Sequence, residues 1–338
     1  MVTQLGLWQT GRVSTPPLDL VSGGPAVAAP ARIWIDTDAA CGAGPRTDPD
    51  DCFAILWLVS RGFDIVGLST SFGNASGQVV TDRTAALVAM MVRDGLILPP
   101  VFKGHSEPIG VSRSAIPAGV VALRAALEAG PVTILALGPL TNIAASLDGR
   151  TDLQANVVRI VAVMGHRKGH LFHPTEGHGT GPLFGHGPIF RDLNLSVDPA
   201  AVRAVLAMHL PMTLIPYDAA RGTMITGADL DLLSGRGLTY GWLSETSRGW
   251  LDFWNSDVGL PGFYPFDWVA AAYLADPQVF DCASTTAAMV REWTFWVWPR
   301  PSLVVEPPVP DGSGTGLSTL YCPKSSQLLH DLLMSPLR

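Results

Sequence analysis

Charge is scarce in this chain: 15% of its 338 residues are Asp, Glu, Lys or Arg, and no stretch concentrates the basic ones. Neutralising a phosphate backbone needs clustered cations, so a formal net charge of -7 excludes nucleic acid as partner and suits an acidic site that holds a cation. Cysteine is sparse too. Cys41, Cys52, Cys282 and Cys322 show no CxxC spacing and suggest no disulfide framework for so long a chain, which leaves free thiols as the expectation. No apolar stretch reaches the roughly 20 residues of a membrane-spanning helix, which excludes a membrane partner. No basic region precedes an unbroken apolar run in the first thirty residues, so no signal peptide is expected and the expected location is cytoplasmic. Low-complexity tracts are absent, and 47% of the residues are apolar, enough for a sizeable core.

What is present is an alternation of short apolar runs and helical patterns. Residues 1–31, with Gly23, Gly24, Pro25 and Pro30, read as an extended lead-in. From Arg32 the pattern predicts strands over 33–35, 65–71, 132–137, 158–164 and 212–216. Helices are predicted over 51–60, 78–92, 141–147 and 199–207. Strands alternating with helices predict an open, mostly parallel α/β sheet covered by helices on both faces. No repeat or linker interrupts it, so residues 32–338 read as a single domain.

The sharpest local feature follows the first strand: Asp36, Asp38, Asp48, Asp50 and Asp51 in a loop rich in glycine and proline. Carboxylates crowded together repel one another, and a hard divalent cation, calcium above all, relieves this by taking several oxygen ligands. The bland alternative is a solvated acidic loop whose last carboxylates complement a helix dipole.

Several collinear segments decide between these readings. Ile35-Asp36-Thr37-Asp38 and Asp50-Asp51-Cys52-Phe53 resemble the two halves of a DxDxGxDD motif, pushed apart by an insertion. Gly67 to Asn74 resembles a strand ending in Gly-Asn, and Leu137 to Ala144 matches GPLTNIA after its first residue. Val161 to Gly165 resembles a strand ending in Met-Gly. Asp192 to Pro199 resembles EFNxxxDP, and Phe266 to Pro277 resembles an HDPxAxAYxxDP helix. Together they resemble the inosine-uridine nucleoside hydrolase family over roughly residues 32–277.

The resemblance implies a nucleoside hydrolase-like fold with a Rossmann-like core, and hydrolysis of an N-glycosidic bond in a small-molecule nucleoside or related N-riboside, with a purine preference. It implies one Ca2+ held by Asp38, Asp51, Asp267 and the backbone carbonyl of Leu137, with Asp38 as general base. Asp50, Asn74, Asp192 and Asn194 are the candidates for the ribose hydroxyls. Met164, Phe266, Trp254 and His186 are the candidates around the base. The family also implies a homodimer or homotetramer. Each residue has an ordinary alternative: Asn74 as a turn residue, Asp192 paired with a surface arginine, Phe266 as core.

Three departures from the motifs bear on function. The insertion places Cys41 to Pro49 at the metal loop. Phe266 stands where many relatives carry histidine and cannot transfer a proton, although it can stack on a base. The segment between Lys103 and Pro131 is short, where relatives contribute residues to the base. Trp250, Phe253 and Trp254 fall on one helix face, with Trp254 as the pocket candidate and the other two as core. His166, His170, His173, His178 and His186 crowd a glycine-rich stretch, read as a loop at the rim with His166 or His186 as leaving-group acid; their spacing is no zinc pattern. Two other readings compete: a DxD phosphohydrolase, and a catalytically silent riboside- or metal-binding relative.

Overall fold

The first strand, β1 (Ile33–Thr37), is buried along its whole length, as expected for a strand inside a parallel sheet with both faces covered. The computed structural model describes residues 32–97, 99–111, 115–168, 191–294, 298–308 and 316–335. The further strands are β2 (Ile65–Thr70), β3 (Val101–Lys103), β4 (Val132–Ala136), β5 (Val157–Ala162), β6 (His166–Arg167), β7 (Met212–Leu214), β8 (Ile225–Thr226), β9 (Gly262–Phe263), β10 (Phe280–Thr294), β11 (Trp298–Glu306) and β12 (Leu317–Ser325). Ten of them form one sheet in the order β3-β2-β1-β4-β5-β7-β12-β10-β11-β6, and β8 pairs with β9. The pairings from β3 through β12 are parallel. The long strand β10 runs antiparallel to both β11 and β12, and this three-stranded extension is absent from the sequence-based expectation.

The strand order places the site. β1 pairs with β2 on one side and β4 on the other, so the chain leaves in opposite directions from two neighbouring strands. At such a switch point the loops beyond the carboxyl ends part and leave a crevice. Asp36 to Asp38 follow from β1 and Leu137 from β4, at that opening.

Two apolar layers cover the sheet. One joins Phe53, Trp57, Trp254 and Trp268; the other joins Trp34, Leu123, Ile143 and Val202. The helix Asp50–Ser60 is buried from Asp50 through Val59. It lies beneath the helix Phe266–Ala275, with the Phe53 and Trp268 rings stacked at 5.1 Å. An element covered all round has no polar face, which accounts for its unbroken Cys52-to-Val59 apolar run. The two helices carry carboxylates at adjoining ends.

The expected elements form with their ends shifted by at most two residues. β5 ends at Ala162, which releases Met164 from the sheet. The cysteines require a correction. Cys41 is disulfide-bonded to Cys52, and Cys282 to Cys322. Spacing along the chain could not show that β10 and β12 pair side by side or that the inserted loop folds back onto the helix after it. Disulfides persist in oxidising compartments, so the pairing withdraws one support of the cytoplasmic expectation. Among the described residues no helix is long and apolar enough to cross a membrane.

Candidate active site

Around the carboxyl ends of β1 and β4, five aspartates converge, Asp38, Asp48, Asp50, Asp51 and Asp267, with Asp36 just behind them in β1. Asp36, Asp38, Asp50, Asp51 and Asp267 are buried, and Asp48 joins Asp38 and Asp267 in lining a cavity. One carboxylate oxygen from each of Asp50, Asp51 and Asp267 lies within 4.8 Å of the others. Asp50 accepts hydrogen bonds from the backbone N–H of Asp51 at 3.0 Å and of Asp267 at 2.9 Å. It therefore locks the two helix ends together.

Asp38 is held differently. Its Oδ2 accepts the Asn74 backbone N–H at 2.8 Å, and the Asn74 amide bridges Asp38 Oδ1 at 3.4 Å and Asp51 Oδ2 at 3.1 Å. This needs glycine before Asn74: φ of Gly73 is +154°, and a Cβ there would lie 1.9 Å from Asp38 Oδ2. Thr37 donates its hydroxyl to Asp51 Oδ1 and accepts the Ala39 N–H. Asp36 turns away from the cavity wall, accepting from Ser69 and from Asn142.

Packing so many carboxylates out of water is costly, and their proton affinities record it. Burial, then the neighbouring Asp51 charge, pushes Asp38 well above the ordinary carboxylate range. Burial and the Asp50 charge raise Asp51 to about 6. Burial raises Asp36 to about 7 against the pull of Ser69 and Asn142. Asp267 is pushed up strongly by burial and then by Asp50 and Asp51. A multivalent cation is the natural counter-charge for such a group. Asp267 Oδ1 is buried and has no hydrogen-bond partner, an acceptor that the fold leaves for something else. The residues present therefore fit a hard cation bound through oxygen.

The remaining candidates border the same space. Leu137 lines it, and its carbonyl accepts the Asn194 amide at 2.6 Å, an amide that also reaches the Val163 carbonyl at 3.1 Å. Asp192 lines it as well. Instead of pairing with a surface arginine, its carboxylate accepts the N–H groups of Gly165 and Leu195 at 2.8 and 3.0 Å, the second as cap of the helix Leu193–Val197.

The same lining carries aromatic rings: Tyr217, Trp250 and Phe266, with Met164. The Tyr217 and Phe266 rings stack at 5.3 Å and 26°. The expected assignment on the tryptophan helix is reversed. Trp254 is fully buried and sits edge-on to Tyr264 at 5.1 Å, whereas Trp250 reaches the cavity. The two rings share a face as the spacing expects, 6.1 Å apart, but Trp254, one turn further on, is enclosed by the Tyr264 and Phe266 rings. His166 is buried and bonded through Nε2 to Glu292 at 2.6 Å; it does not line the cavity. His186 and the other histidines of that stretch lie outside the described residues.

Sequence reasoning missed Tyr217, Arg46 and Thr47 as cavity residues. Tyr217 follows β7 at the carboxyl edge of the sheet, where side chains meet ligands, and that rule could have found it. Nothing in the sequence marked Arg46 or Thr47 beyond their place in the insertion.

Residues 33–300 match the inosine-uridine preferring nucleoside hydrolase family. Uridine nucleosidase 1 of Arabidopsis thaliana is 26% identical over 290 residues, covering 77% of this chain and 78% of that protein. The pyrimidine-specific ribonucleoside hydrolase RihA of Salmonella agona is 23% identical, covering 68% and 78%. Among solved structures, a purine-preferring ribonucleoside hydrolase from Gardnerella vaginalis superposes with a TM-score of 0.70 at 16% identity, covering 90% of this chain and 96% of that one. A plant nucleoside hydrolase gives 0.69 at 17%, covering 91% and 100%. The phosphohydrolase alternative has no place beside these matches. With its strand order, its aspartate-lined crevice and a match over residues 33–300, the chain belongs to the inosine-uridine preferring nucleoside hydrolase family and is a hydrolase of N-glycosyl bonds.

Proposed function

We propose that the protein hydrolyses ribonucleosides to ribose and free base in a calcium-dependent reaction, with purine nucleosides preferred. The observation that carries this is the mixed lining of one cavity, which joins carboxylates and amides to a stacked Tyr217–Phe266 pair and Trp250. A nucleoside has the same two chemistries, a polyhydroxylated sugar joined to a flat aromatic base.

Asp38, Asp51, Asp267 and the Leu137 carbonyl would hold the calcium ion. When bound, calcium supplies positive charge that favours ionised carboxylates and orients sugar hydroxyls. Asp38, so ionised, accepts a proton from the attacking water, and Asn74 fixes its orientation through two hydrogen bonds. Asp50, Asp192 and Asn194 take the ribose hydroxyls together with Asn74. As the bond to the base breaks, positive charge grows on the sugar, and the surrounding carboxylates stabilise it. Phe266 cannot protonate the base. With Tyr217 and Trp250 it offers a wall for stacking, and a wall of that breadth suits a two-ring base.

The named relatives include both pyrimidine- and purine-directed enzymes, so purine preference rests on the wall alone. Assembly as a homodimer or homotetramer is part of the same proposal. The test is ribose release from purine and pyrimidine nucleosides, with calcium and after chelation. Purine-favouring release that chelation abolishes and calcium restores is the expected result; equal release in a chelator removes calcium from the account.

A further inference from the structure

Asp38 and Asp51 stand on opposite sides of the insertion in the sequence, yet the Asn74 amide bridges their carboxylates. What brings the chain back lies at the base of the insertion. It leaves at Cys41 and returns at Cys52, where a disulfide holds the two Cα atoms 6.3 Å apart. Both cysteines are fully buried, in the same apolar layer as Ala39 and Phe53. The covalent ring so closed contains Asp48, Asp50 and Asp51, and Asp38 stands just before it.

Within the ring the noncovalent ties are short-range. The Ala43 N–H reaches the Ala40 carbonyl at 2.9 Å and the Thr47 N–H the Gly44 carbonyl at 3.3 Å, while Asp48 accepts the Asp50 N–H at 3.3 Å. The helix Asp50–Ser60 begins after Pro49 with no side-chain cap. At the tip, a Cβ on Gly249 would lie 2.6 Å from the Pro45 carbonyl oxygen, and Arg46 meets Asp257 at 3.2 Å in an exposed ion pair of the kind that contributes little. Against these ties the charges of Asp50 and Asp51 press on Asp38 and Asp267. Repulsion favours any opening that lets water between the carboxylates. A cross-link at the base of the ring forbids much of that opening, so a cation that binds there has less chain to order.

We propose that the Cys41–Cys52 disulfide is a positioning cross-link for the metal site, holding Asp38 and Asp51 at the separation calcium needs, so that the oxidised chain binds calcium more tightly than the reduced one. Asp50, inside the ring, carries the effect to the third carboxylate by accepting the Asp267 N–H at 2.9 Å. The inference rests on the calcium site proposed above and deepens it, tying the affinity of that site to the redox state of one cysteine pair. Coupling of this kind is reciprocal: bound calcium protects the disulfide from reduction by the factor by which the disulfide raises calcium affinity. The second pair, Cys282–Cys322, joins β10 to β12 and contributes nothing to the cavity lining, which makes it the internal control.

Calorimetric titration with calcium of metal-stripped wild type, Cys41→Ala/Cys52→Ala and Cys282→Ala/Cys322→Ala tests the first half. The Cys41/Cys52 variant should bind calcium about tenfold more weakly, as for loss of a group that orients metal ligands, and its turnover should need correspondingly more calcium. The Cys282/Cys322 variant should keep wild-type affinity whatever it loses in melting temperature. The second half needs no variant. Wild type is equilibrated in mixtures of reduced and oxidised dithiothreitol with and without calcium, and alkylated cysteine peptides are counted by mass spectrometry; each reduction exchanges one protein disulfide for two thiols and the cyclic disulfide of the reagent. Calcium should move the Cys41–Cys52 midpoint about tenfold towards the more reducing mixtures and leave Cys282–Cys322 unmoved while the chain stays folded. Equal calcium affinity with and without the Cys41–Cys52 pair would overturn the proposal, and if that variant does not fold, a midpoint indifferent to calcium would do so. A wild type that binds no calcium overturns the metal site itself, a result distinct from calcium binding that ignores the disulfide.

Discussion

Replacing Asp51 with asparagine should inactivate the enzyme and yet make the metal-free protein more stable at neutral pH. Asp51 is fully buried beside Asp50 and Asp267, and its carboxyl is raised to about 6 from 3.8. A shift of about two pH units corresponds to roughly 3 kcal/mol of strain in holding the charged form without a cation. Asparagine removes that charge. Its oxygen keeps the Thr37 hydroxyl, while its amide faces the Asn74 amide that Asp51 Oδ2 accepted, a loss of about 1 kcal/mol. The net gain is about 2 kcal/mol, or about 3 °C in melting temperature for a chain of this size. The assay is thermal unfolding of wild type and Asp51→Asn in a chelator at pH 8 and pH 5. The folded protein holds these protons more tightly than the unfolded chain, so metal-free wild type gains stability as pH falls from about 7 towards 4. The advantage of the variant should therefore shrink by about two-thirds at pH 5. Added calcium should stabilise wild type strongly at pH 8 and the variant weakly. A variant less stable than wild type in chelator at pH 8, or with an advantage that grows on acidification, would refute the reasoning.

Other residues separate function from packing. Asp38→Ala should abolish ribose release while leaving a cooperative unfolding transition, and near-normal turnover would remove Asp38 as the base. Trp250→Ala should raise KM about fivefold through lost stacking, whereas Trp254→Ala, which empties a fully buried site, should cost about 3–5 kcal/mol in stability. Unfolding curves and nucleoside kinetics on both variants would expose a reversal. Thiol titration of the unreduced, denatured protein should find no free cysteine, and four after reduction; free thiols before reduction would contradict the pairing.

The parts of this account legible in the sequence are those whose physics is local. A buried parallel strand such as Ile33-Trp34-Ile35 reads as an apolar run, and Asp36-Thr37-Asp38 after it marks the carboxyl end where a site belongs. Motif order points to Asn74, Leu137, Asn194 and Asp267 as one site, and all four line one cavity. Long-range pairing stayed hidden. The β10–β12 extension and the cysteine pairs depend on contacts across tens of residues, which spacing does not encode. The Trp254 assignment failed because helical periodicity puts Trp250 and Trp254 on one face but does not say which of them the distant Tyr264 and Phe266 rings enclose. The place of Arg46 was hidden because its partners, Phe253 and Asp257, lie about two hundred residues away.

On the proposed function, the aspartate cluster loaded with calcium breaks an N-glycosidic bond. Ribose release by purified protein from inosine, guanosine, adenosine, uridine and cytidine tests it most directly, measured with calcium, after chelation and after calcium is restored. The account predicts release that disappears with the metal and returns with it, most strongly for the purine nucleosides that the Tyr217–Phe266 wall fits. A calcium-loaded, folded protein that releases ribose from none of them would contradict it.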